Sequence, residues 1–182
     1  MKRRTLNFVV SISLLFSSIN LAVASQSHAV SCPPISKNTR SMGLMIADGV
    51  TTQIKSANYP AGGIFDPPES PLAIGLSARH QPLSSLEGSS ILVWHISYKR
   101  CQGRINFIMK KKVGYEFSII DERANTTNYK ISEIRVVPVG KYKKEWFSLS
   151  GPRQLVFVTC TGRVVNGHHT QNWVMIATPV QA

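Results

Sequence analysis

The sequence predicts an all-β protein, a single domain built as a closed or nearly closed barrel. Three observations carry this expectation. Short apolar runs recur along the chain, each bounded by Gly, Pro, Asn or Asp. No long segment shows a convincing 3.6-residue apolar period, so substantial helix is not expected. Closure is expected because it removes the exposed strand edges that an open sheet would present. The chain length of 182 residues and its 43% hydrophobic content are ordinary for one globular domain.

The first 24 residues stand apart from the folded part. MKRR is a short basic start, LNFVVSISLLF an apolar run, and Ala22–Ala24 a small-x-small cleavage pattern, which together resemble an export signal. A retained membrane anchor is the alternative, since Leu6 to Ala24 is about long enough to cross a bilayer, and a buried core helix is a third reading. The first two readings place the domain outside the cytoplasm. Residues 25–58 are expected to form an N-terminal extension with one possible strand, Gly43–Ala47, followed by an Asp-Gly turn. The barrel domain is assigned to 59–182. It opens with a Pro- and Gly-rich stretch, NYPAGGIFDPPESPLAIG, that is expected to be a long surface loop, and QPLSSLEGSS has room for one helical turn. Strands are then expected at Ser90–Ser97, Ile105–Met109, Tyr115–Ile120, Tyr129–Val139, Gln154–Cys160 and Asn172–Val180.

The chain is strongly basic, with 21 Lys or Arg against 9 Asp or Glu and a formal charge of +12. Such a balance points to anionic surfaces, a membrane or a cell wall, while export argues against nucleic acid. The clusters Lys110–Lys112 and Lys141–Lys144 are otherwise solvated loop charge. Nothing in the sequence has the spacing of a metal site, and no cofactor motif is present. The cysteines are Cys32, Cys101 and Cys160, an odd number that implies one pair and one free thiol, or an intermolecular bond.

Cys160 ends the run LVFVTC, and His95 lies inside SILVWHIS. A thiol needs a proton partner and a lowered pKa to act as a nucleophile, and histidine is the usual partner. On the residues alone, a buried thiol and a satisfied core histidine is the favoured reading of the same two residues.

The stretches LVFVTCTG and GHHTQNWVMIATP, preceded by GSSILVWHIS and QGRINFIMKKKVGYEFSII in the same order, resemble the sortase family of cysteine transpeptidases, most of all its short class E and F type. The similarity spans roughly Pro67 to Pro179. The resemblance implies a sortase β-barrel with short helical turns. It implies that Cys160 attacks an LPxTG-like C-terminal sorting signal of an exported protein, that His95 is the general acid/base, and that an amine of a cell-wall precursor resolves the thioester. It also implies an arginine in the last strand, where this chain carries Thr170 followed by Gln171. Arg163 is a substitute candidate for holding the oxyanion or thiolate, with Thr159, Gln171 and Asn172 as possible support. If Cys160 is the nucleophile, Cys32 and Cys101 remain as a disulfide pair. The runner-up reading is a degenerate member that binds a peptide or wall segment without activity.

Overall fold

The computed structural model describes residues 31–58 and 66–180. The export or anchor segment expected at 1–24 lies outside them, as does part of the Pro- and Gly-rich stretch. Among the described residues, no helix is long and apolar enough to cross a membrane.

Ten strands form: β1 (Ser41–Ala47), β2 (Val50–Ala57), β3 (Ile74–Ser77), β4 (Ser89–Val93), β5 (Ser97–Tyr98), β6 (Cys101–Gln102), β7 (Glu116–Ile120), β8 (Thr126–Pro138), β9 (Gln154–Val165) and β10 (His168–Pro179). Eight of them close into a barrel in the order β1-β2-β3-β4-β9-β10-β8-β7, and β5 and β6 pair as a small separate ribbon. The all-β, closed-barrel expectation therefore holds. The barrel already starts at Ser41, so residues 25–58 supply two of its staves.

The Asp-Gly turn expected after β1 forms, and an Asn-Gly turn of the same kind joins β9 to β10. Asp48 and Gly49 both have positive φ, 49° and 73°, as do Asn166 and Gly167 at 51° and 80°. That pairing makes the two-residue turn whose twist matches a β-hairpin, and Asp-Gly and Asn-Gly are its preferred sequences.

Alternation sorts the side chains into two clusters. Leu155 and Phe157 of β9, Leu92 of β4, and Trp173, Met175 and Ala177 of β10 point into the barrel. Val156 and Val158, Ile91 and Val93, and Val174 and Ile176 point outward, where Trp146 covers them. Trp146 belongs to the connection between β8 and β9, whose 3-10 turn spans Lys144–Phe147. The long connection therefore folds back over the outer face of β4, β9 and β10.

Two expected strands differ. The one expected from Ser90 to Ser97 ends at Val93. Beyond that point the Thr159 hydroxyl donates to the Trp94 carbonyl at 2.7 Å, and Asn106 Nδ2 donates to the Ile96 carbonyl at 2.7 Å. Side chains thus take the carbonyls that a continuing ladder would need. The strand expected at Ile105–Met109 is a 3-10 turn over Asn106–Lys110. Ile105 and Ile108 lie one 3-10 turn apart and both enter the interior cluster, so the pair plugs the barrel end.

Gly75 shows how closely the chain crosses this face. A Cβ there would lie 2.6 Å from Ala57 Cβ and 2.7 Å from Pro68 Cδ. Only glycine lets the 66–70 segment lie directly on β3.

Candidate functional site

Cys160 continues the outward row of β9 two residues beyond Val158. Its cross-strand neighbour on β10 is Asn172, while Val158 pairs with Val174. Thr159, pointing the other way, is buried and ties β9 to the end of β4 through Trp94. Thr159, Cys160 and Asn172 are therefore brought together by the sheet.

Thr170 is not opposite the thiol. The register shifts between His169 and Gln171: Gln171 pairs with Thr161, but His169 pairs with Val164. Gly162 and Arg163 together oppose Thr170, and Gly162 has φ 77°, the conformation of a glycine bulge. A Cβ on Gly162 would lie 2.7 Å from Gln171 Oε1 and 2.9 Å from Thr170 Oγ1, so the bulge needs glycine for space as well. Arg163 is thereby carried past the bulge onto the exposed part of the hairpin. No hydrogen bond links Arg163 to Cys160 among the described residues.

Asn172 has a partner that the sequence did not disclose. Its Nδ2 donates to the Tyr142 hydroxyl at 2.5 Å. Tyr142 also packs edge-on to Phe147. This bond anchors the covering connection next to the thiol. The signal available was a set of aromatic residues, Tyr142, Trp146 and Phe147, inside a lysine-rich loop, where solvated charge alone would not need them.

His95 lies just past the end of β4. Its ring stacks on Tyr98 with centroids 5.0 Å apart, and among the described residues it makes no hydrogen bond. Burial pushes its pKa below the usual histidine value, partly offset by the negative charge of Asp66. His80, whose Nδ1 lies 2.9 Å from Ser77 Oγ, is lowered by burial as well.

The cysteines divide unequally. Cys32 and Cys101 form a disulfide, with Cα atoms 5.2 Å apart, which removes both as thiols. Cys160 remains free and solvent-exposed at its surface. Crowding around its sulfur penalises the thiolate and pushes its pKa up. An activated nucleophile needs the reverse shift, supplied by a cation, an imidazolium or a helix N-terminus. Here Asn172 sits opposite the sulfur, and neither His95 nor Arg163 bonds to it.

The expectation of a cysteine transpeptidase, hydrolase or thiol protease is therefore corrected. Two of the three thiols are consumed in the disulfide, and around the third burial favours the protonated form. Among the described residues, no group of three or more His, Cys, Asp or Glu is placed to hold a metal ion.

One pH dependence follows from the two histidines. Each titrates lower in the folded chain than in the unfolded chain, where the reference is about 6.5. As pH falls through that value the unfolded chain takes up protons first, so stability falls with it. The loss runs from about 6.5 down to the depressed folded-state values, above the range where Asp48, Asp121 and Glu133 begin to contribute. Thermal melts between about pH 7 and about pH 5 should show a falling midpoint. The slope should flatten when His80 and His95 are both replaced by glutamine, and an unchanged slope would refute this origin.

No protein-family model and no curated protein sequence matches the chain. Solved structures do. Sortase A from Corynebacterium diphtheriae superposes with a TM-score of 0.60 at 15% identity, over 79% of this chain and 62% of that one. Sortase C1 from Streptococcus suis gives 0.60 at 15% identity, over 79% and 75% of the two chains. Sortase C from Clostridium perfringens SM101 gives 0.58 at 15% identity, over 79% and 71%. The chain thus spans less than two thirds of the first of these. The likeness is one of fold: this is an eight-stranded barrel of the sortase type.

Proposed function

We propose that this chain is an extracytoplasmic sortase-fold protein that holds an extended peptide against the face around Cys160 without forming a covalent bond to it. The observation that carries this reading is the state of Cys160 itself: a free thiol, exposed at the surface, pushed toward its protonated form and faced by Asn172. The surroundings fit a groove. The covering connection with Tyr142 and Trp146 borders it on one side, and the stacked pair His95 and Tyr98 marks the end of β4 on the other. Between them the outward row passes from covered valines to the exposed cysteine, a change from apolar to polar footing along one line. An extended chain, with alternating side chains, suits such a strip. The basic surface supports residence at an anionic wall or membrane outside the cytoplasm.

The test uses a peptide with an LPxTG-like core and the folded protein. Saturable binding is expected, with perturbed amide signals at Asn172 and Tyr142 and no change in the intact mass of either component. Cys160→Ala should bind as well as the parent, while Tyr142→Phe weakens binding several-fold. In the same preparation, alkylation of Cys160 at neutral pH should be no faster than that of a model thiol with a pKa of about 8.5. Peptide cleavage, a thioester adduct on Cys160, or no binding at all would each sink the proposal.

A further inference from the structure

The outward face that carries Cys160 continues across the barrel to β2. Lys55 pairs with Gly75, Gly75 with Val93, and Val93 with Val158, so Lys55 lies in one row with the residue two before Cys160. Three strand spacings separate them, about 14 Å. The 66–70 segment crosses between the two ends, with Pro68 seated on Gly75.

On the β2 side of that crossing lies a cavity of about 550 Å³. Its walls are the N-terminal segment at 34–40, the end of β2 and the 66–70 segment. They are firmly tied. The disulfide Cys32–Cys101 anchors the N-terminal segment, Ser70 Oγ donates to the Pro33 carbonyl at 2.6 Å, and Ser56 N–H donates to the Arg40 carbonyl at 3.0 Å.

Four charged residues line it: Lys55, buried in its wall, and Arg40, Asp66 and Glu69, exposed at its rim. Lys55 is only 9% exposed, and its ammonium makes a single long bond, 3.4 Å to the Thr39 carbonyl. Among the described residues, no carboxylate lies within ion-pair distance of it, nor of Arg40. With one long bond to a carbonyl, that ammonium keeps donors free for an anion entering the cavity. Asp66 and Glu69 line the same cavity and are not ion-paired either. Two cations and two anions face one space without pairing with each other.

We infer that this cavity binds a small zwitterion, an amino acid or dipeptide, with its carboxylate on Lys55 and Arg40 and its ammonium toward Asp66 and Glu69. Such a ligand neutralises both sets of charges at once, and a cavity of this size lies within the range that encloses small molecules. The inference does not depend on the reading of the peptide face around Cys160.

The probe is alanyl-alanine, compared with its C-terminal amide and its N-acetyl derivative, by calorimetry on the oxidised protein. Alanyl-alanine should bind saturably and shift the amide signals of Lys55 and Thr39. Removing either charge from the ligand should weaken binding at least about tenfold, equivalent to ~1.4 kcal/mol. Lys55→Met should give the same loss, Arg40→Gln a smaller one, and Cys160→Ala none. The ligand arms need only the parent protein, so they decide the matter even if Lys55→Met does not fold. Absence of binding overturns the inference, as does equal binding of the amide or the acetylated form, or parent-like affinity in Lys55→Met. A loss in Cys160→Ala would place the ligand on the other face and overturn it too.

Discussion

Replacing Cys32 and Cys101 with serine is expected to lower stability by up to about 4 kcal/mol, through the loop entropy that the bridge removes from the unfolded chain. The two cysteines are 69 residues apart, so the closed loop is long and includes β1 to β5. The segment before β1 has no ladder of its own. It is held by the disulfide, by Ser70 on the Pro33 carbonyl, by the Ser56 N–H on the Arg40 carbonyl, and by Lys55 on the Thr39 carbonyl. Without the bridge those few bonds must hold it alone, and the wall of the β2 cavity should loosen before the barrel does. For a domain of this size the melting midpoint should fall by roughly 10 °C. The comparison is a thermal melt of parent and double-serine protein, repeated with reductant. A midpoint shared by both proteins in oxidising buffer would show that the bridge contributes nothing.

Trp94→Ala should cost about 3–5 kcal/mol, the range for removing a large buried aromatic side chain. Trp94 is fully buried at the barrel mouth, with its ring edge-on to Trp173 at 5.9 Å and to Phe157 at 6.3 Å. Its indole N–H donates to Asn106 Oδ1 at 3.1 Å, and Asn106 in turn holds the Ile96 carbonyl. The substitution therefore opens a cavity and frees the turn that carries His95. Trp94→Phe keeps most of the volume and loses chiefly the hydrogen bond, an effect of about 1 kcal/mol. Urea unfolding of the two variants separates packing from hydrogen bonding. Equal losses in both would mean that packing at the mouth contributes little.

Much of the barrel could be read from residue order. Alternation identified β7 to β10, and Asp48-Gly49 marked the first hairpin, because side-chain period and left-handed turn residues are local properties. Ile74–Ser77 was hidden in a Pro-rich stretch because a strand of four residues has too few positions to show a period. The early end of β4 was also hidden. It depends on Thr159, 65 positions from Trp94, and Asn106, 10 positions from Ile96, competing for its carbonyls.

The site divides in the same way. Sequence by itself determined the fold class, the pairing of a strand-ending Cys160 with a distant His95 as the residues to inspect, and the odd cysteine count that leaves one thiol free. Tertiary structure alone decided that Asn172 faces Cys160, because a bulge at Gly162 resets the register of β9 against β10 and moves Thr170 along the hairpin. It alone decided the character of the thiol. A cysteine's reactivity is set by the charges and solvent that surround its sulfur, and those come from strands and loops brought together only on folding.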